Sequence, residues 1–179
     1  QGFWEDGYED TSGVNAALSS NWRHDAAGRF VTVAELAAGP AQVVTESIAP
    51  VSLSGWGHVY LRFTASQANA VRVWFTPAGG VETALTLASS DLAGYTARAS
   101  LAGFGTPDSG IVRVELAGTA GQPLPTLQGL RVTWQPSSVV RLAYTVPEST
   151  CSGADMDFRL KVSVSYVPVH GLVVWAPLP

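Results

Sequence analysis

Apolar and polar residues alternate in short blocks along this chain, and glycine or proline punctuates most of the connections between them. The clearest are HVYLRFTA (58–65), AVRVWFTP (70–77), ETALTLAS (82–89), YTARASLA (95–102), GIVRVELA (110–117) and GLRVTWQP (129–136). A period of two sends successive side chains to opposite faces, which describes a strand with one face buried. The intervening PAGG, SSDLAG, GFGTPDSG and GTAGQPLPTLQ supply the positive or fixed φ of tight connections. Upstream, GRFVTVAEL (28–36) and AQVVTESIA (41–49) add two strands around an AAGP turn. Strands at about this spacing predict an all-β sandwich or barrel, and a jelly roll is the natural closure for antiparallel strands in this number. Helical signal is confined to one turn each in GVNAALSSN (13–21) and SSDLAG (89–94).

Composition agrees with a folded β protein. Hydrophobic residues make up 46% of the 179 and charged ones 13%, with 18 Gly and 11 Pro; disordered chains invert that balance. The net charge is −4, and Lys161 is the one lysine beside nine arginines. No basic stripe exists to neutralise phosphates, so nucleic acid is not an expected partner. The single cysteine, Cys151, excludes an intrachain disulfide and reads as a free thiol in a turn. No apolar run approaches the roughly 18 residues of a spanning helix, so no transmembrane segment is expected. Opening on Gln1 without a Met fits removal of an export leader, and a secreted or cell-surface location is the expectation.

After VTWQPSS the register restarts. VVRLAYTVP (139–147), MDFRLKVSVSYVP (156–168) and GLVVWAPLP (171–179) read as three more strands. A boundary near residues 136–138 therefore divides the chain into a first domain, 1–137, and a segment, 138–179, too short to hold a core alone. In the last block Leu172, Val174 and Ala176 take one side and Val173 and Trp175 the other.

The opening FWEDGYEDTSGVNAALSSNW and the closing PLPTLQGLRVTW resemble the jelly-roll, galactose-binding-like or concanavalin-like modules of large bacterial and archaeal surface proteins. The tail CSGADMDFRLKVSVSYVPVHGLVVWAPLP is similar to the first half of the Ig-like repeats of bacterial surface proteins. That resemblance implies that about half of the second sandwich would come after Pro179. The gene continues, the tail is trimmed, or another subunit supplies the missing strands. In the last case Leu172, Val173, Val174 and Trp175 form an edge for strand addition, because unpaired N–H and C=O groups on a sheet edge recruit a further strand.

Catalytic residues are not advertised. There is no G-x-S-x-G, and His24, His58 and His170 each sit in a different local context. GFGTPDSG lies between strands rather than before a helix, so it reads as a hairpin loop and not a phosphate cradle. Acidic residues cluster early, at Glu5, Asp6, Glu9 and Asp10. Hard cations take several carboxylate and carbonyl oxygens, which makes Glu9 and Asp10 candidate ligands of a structural calcium; the alternative is a solvated segment with Asp or Thr closing a turn. A face is the other candidate. If Val59, Leu61 and Phe63 point inward, then His58, Tyr60 and Arg62 point out, as do Arg72 and Trp74 on the next block and Arg113 further on. Aromatic and arginine side chains there could pack under loops, anchor another subunit or a neighbouring surface-protein domain, or stack on sugar rings of a glycan. The expected function is a non-catalytic extracellular structural or adhesive protein, with a carbohydrate-binding module as the alternative.

Overall fold

The computed structural model describes residues 2–136 together with 162–164 and 172–174. The chain divides into two compact units, Gln1–Val140 and Arg141–Pro179. In the first, strands β1 (Gly2–Asp6), β2 (Trp22–Asp25), β3 (Phe30–Val33), β4 (Ala41–Val44), β5 (Gly55–Thr64), β6 (Val71–Pro77), β7 (Thr83–Leu85), β8 (Ala88–Ser89), β9 (Ala97–Ser100), β10 (Gly110–Leu116) and β11 (Thr126–Gln135) form two antiparallel sheets. The larger runs β2-β3-β11-β5-β9-β8, with β1 also on β11; the smaller runs β4-β10-β6-β7. This is the sandwich that the alternation predicts.

Alternation decides which face is buried. Along β10, Gly110, Val112, Val114 and Leu116 are buried while Ile111, Arg113 and Glu115 are only partly so. On β6, Val71, Val73 and Phe75 are buried and Arg72 is exposed. The larger sheet answers with Val31, Val33, Val59, Leu61, Leu127, Leu130 and Val132, each fully buried. Burying such side chains contributes about 1.5–3 kcal/mol apiece. Trp56 links the layers, with its ring 5.2 Å from Phe75 and 6.4 Å from Trp134, and Phe75 continues to Phe104 at 4.9 Å, all edge-on.

Several expected strands differ in extent. The block 82–89 divides into β7 in the smaller sheet and β8 in the larger, so this stretch crosses between sheets and closes one side; strands that switch sheets make such corners. The block 41–49 stops at Val44 and continues only as isolated bridges at Thr45 and Ile48. Two strands lie outside the alternating blocks. β1 pairs with β11 from Gly2 opposite Trp134 to Asp6 opposite Leu130, and β2 pairs with β3. β1 is only five residues long, and Trp4 alone of its side chains joins the core.

In the second unit, β12 (Val162–Val164) and β13 (Leu172–Val174) pair antiparallel, with Ser163 opposite Val173. The expected strand 139–147 lies outside the described residues. No helix among the described residues is long and apolar enough to cross a membrane.

Candidate functional site

The six residues expected on one face are distributed over two. His58, Tyr60 and Arg62 stand on β5 in the larger sheet, whereas Arg72 and Trp74 on β6 and Arg113 on β10 belong to the smaller. The outer faces of two packed sheets look away from each other, so these groups do not share a ligand.

On the larger sheet the centre of the outer face is a residue that alternation alone did not single out. Glu5 sits opposite Arg131 in the β1–β11 register, and Arg131 sits opposite Tyr60 in the β11–β5 register. The Arg131 guanidinium donates twice to Glu5, from Nε at 3.1 Å and from Nη2, and the Tyr95 hydroxyl donates to the other carboxylate oxygen. Arg131 also lies over the Phe3 ring at 4.4 Å. Burial by itself would raise the Glu5 carboxyl, but the hydrogen bonds from Tyr95 and Arg131, with the charges of Arg131 and Arg62, outweigh it and hold it below the ordinary range. Burial first, then the bond to Glu5, pushes the Tyr95 hydroxyl up to about 12. Tyr60 points to this outer side yet is only 8% exposed, because the rings of His58 and Tyr95 flank it at 5.7 and 5.9 Å. Arg62 is held locally, its Nη2 donating to the Gln128 carbonyl at 2.8 Å. Phe3, 55% exposed, is the aromatic surface this face offers.

The smaller sheet carries a hydrogen-bonded network instead. Arg113 forks onto both carboxylate oxygens of Glu82 at 2.7 Å, donates to Gln42, and stacks 3.7 Å from the centre of the Trp74 ring. Gln42 in turn donates to Glu115, which Arg72 approaches to 3.7 Å. The bond from Arg113 lowers the Glu82 carboxyl, against a smaller opposing effect of burial. One face of Trp74 is therefore covered by guanidinium, and its cation–π contact stabilises the sheet surface.

Glu9 and Asp10 are engaged separately. Glu9 pairs with Arg29 at 2.8 Å, and Asp10 Oδ1 accepts the Ser12 N–H at 2.8 Å, closing a turn. Among the described residues no three His, Cys, Asp or Glu side chains are placed to share a metal ion. Nearby, Asp6 Oδ1 accepts the Tyr8 N–H at 2.7 Å while its Oδ2 is buried without a partner. Burial raises this carboxyl, the Tyr8 bond opposes the rise, and the charge of Asp10 adds to it. His24 Nε2 donates to the Tyr8 carbonyl at 2.8 Å.

Of the strand-addition edge, Leu172, Val173 and Val174 lie on β13, and Trp175 lies outside the described residues. Phe3-Trp4-Glu5-Asp6 carries no apolar–polar alternation to announce a strand, and only the pairing of β1 with β11 brings Glu5 to Arg131. A cavity of about 380 Å³ opens at the β5–β6 connection, lined by Phe63, Ala65, Val71 and Leu87 with Gln67 and Asn69. Compared with known proteins, the chain matches no family model, no curated protein and no solved structure.

Proposed function

We propose that this chain is a non-catalytic structural or adhesive component of a cell surface, secreted or held there. In this reading it is a jelly-roll-like module followed by part of an Ig-like one, and it joins other copies or neighbouring surface domains by strand addition through residues 138–179. The observation that carries the proposal is the β12–β13 ladder. It has two strands, and among the described residues neither has a neighbour on its other side. A two-stranded hairpin is marginal in water, and a further strand on either edge satisfies the outer N–H and C=O groups of that edge. In the first unit β7 and β8 end their sheets with three and two residues, and edge strands that short discourage addition. Sedimentation of the 179-residue chain tests the proposal. Self-association that Val173→Pro weakens at least ~tenfold is expected, since proline removes a ladder donor; a chain that stays monomeric, or associates equally well with proline there, overturns it.

The alternative is a carbohydrate-binding module; since Arg72 and Trp74 stand on the other sheet from Tyr60 and Arg62, it would use the larger sheet alone, where Phe3 is exposed on the same face as Tyr95 and Tyr60. Saturable binding on a glycan array, abolished by Phe3→Ala and untouched by Trp74→Ala, would transfer the assignment to that module.

A further inference from the structure

We infer that β1 is an exchangeable strand: Gly2–Asp6 of a second copy of this chain takes the place along β11 that the chain's own β1 occupies, and two copies pair by trading it.

The seat is specific to this strand. Gly2 lies under the Trp134 indole, where a Cβ would collide with the ring. Trp4 reaches the core, and Glu5 meets Arg131 and Tyr95 from β11 and the β8–β9 connection. β1 has β11 as its only backbone partner among the described residues. A second copy's Gly2–Asp6 would reproduce each of those contacts, which makes that segment the occupant the seat fits best.

The hinge stores the reason to trade. Directly after β1 the chain turns through Asp6–Gly7–Tyr8, and Tyr8 is held at φ +53°, a left-handed conformation that an aromatic residue rarely adopts. Its ring is 1% exposed and its carbonyl is fixed by His24, so the residue does not relax in place. The same turn keeps Asp6 Oδ2 buried without a partner. Short hinges under strain favour exchange over closure. Gly7 lies between Asp6 and Tyr8 and, having no Cβ, takes a new φ and ψ at the least steric cost of the three. Opening there lets the backbone at Tyr8 leave its left-handed conformation, while docking in a second copy preserves every β1–β11 contact.

The inference uses residues far in sequence from β12 and β13, so its failure and that of strand addition are separable. Phe3 and Thr133 face each other in the β1–β11 register. In a Cys151→Ser background, a Phe3→Cys chain is refolded with a Thr133→Cys chain at high concentration and oxidised. A disulfide-linked heterodimer is expected, while a chain carrying both cysteines closes on itself at high dilution. Inserting Gly-Ser-Gly after Gly7 relaxes the turn and is expected to lower heterodimer yield at least ~tenfold. On the unaltered chain, a mixed sample of differently labelled copies should show contacts between Gly2 of one and the Trp134 indole of the other, which keeps the test valid if a cysteine variant does not fold. Val173→Pro leaves all of these results unchanged. A dimer without the β1 cross-link or the mixed-label contact, a yield indifferent to hinge length, or a strictly monomeric chain overturns the inference.

Discussion

Glu5 joins three elements through one carboxylate, and its titration shows what that junction contributes. Its folded-state value lies below the ordinary one, so its contribution to stability is present above the unfolded value, near pH 4.3, and is lost as pH falls through the folded value. Asp6, one residue on, is shifted upward and has the opposite sign: its contribution is complete below the unfolded value and is lost as pH rises through the raised one. The two partly cancel in the acid limb. Tyr95→Phe removes one of the bonds that lower Glu5, so the carboxyl should move up and the acid-side loss of stability should shrink. The Glu5 side chain is 37% exposed, and solvent screening keeps the neutral-pH cost to about 1 kcal/mol. Urea unfolding at pH 7 and pH 3 checks both; a variant whose loss of stability between the two pH values equals that of the parent would show that Tyr95 does not set the Glu5 titration.

At the scale of the strand, the buried polar side chains show where regular pairing fails. Among the described residues Thr32, Thr45 and Thr133 are the polar side chains buried, and each completes a hydrogen bond that its ladder leaves open. Thr45 Oγ1 accepts the Val112 N–H at 3.0 Å where β4 ends, Thr32 Oγ1 donates to the Pro125 carbonyl at 2.7 Å just before β11, and Thr133 Oγ1 accepts the His58 N–H at 2.9 Å at the shift between Val132 and Trp134. Valine has the same shape and no acceptor. Thr133→Val should therefore destabilise the sandwich by about 1–3 kcal/mol, the usual penalty for a buried N–H left unpaired, measured by denaturant unfolding; a neutral result would mean that another acceptor reaches His58. Threonine also explains the limit of what the sequence discloses. Alternation located the strands at 58–65, 70–77 and 110–117 closely, because Val59, Leu61, Val73 and Val114 announce a buried face. It does not reveal which threonine ends a ladder, since threonine suits strand interiors equally well. It also missed β1 and β2, each of four or five residues, a length at which periodicity is weak. The face expected from His58, Tyr60, Arg62, Arg72, Trp74 and Arg113 was legible strand by strand, but assigning strands to sheets takes long-range pairing that no local pattern contains.

For the molecule as a whole, the core decides what can stand alone. The core cluster described here runs from Tyr8 to Val132 and draws on both sheets of the first unit. Its first and last strands pair with each other, Gly2–Asp6 against Leu130–Trp134, so the sandwich is closed by residues near both ends of the segment 1–136. A chain ending at Pro136 should keep every one of these contacts and unfold in one cooperative step, as domains under 150 residues usually do. Calorimetry should give a heat-capacity increment of about 1.6–2.0 kcal/mol/K, set by its length, at a melting temperature within a few degrees of the main transition of the full chain. A broad transition, or an increment well under half that size, would mean that residues beyond Pro136 complete this core. The same chain lacks β12 and β13 but retains β1, β11 and the Tyr8 turn. Once its cooperative unfolding is in hand, its self-association separates the two routes of assembly: dimers that persist belong to the exchange of β1, and dimers that vanish belong to strand addition in the second unit.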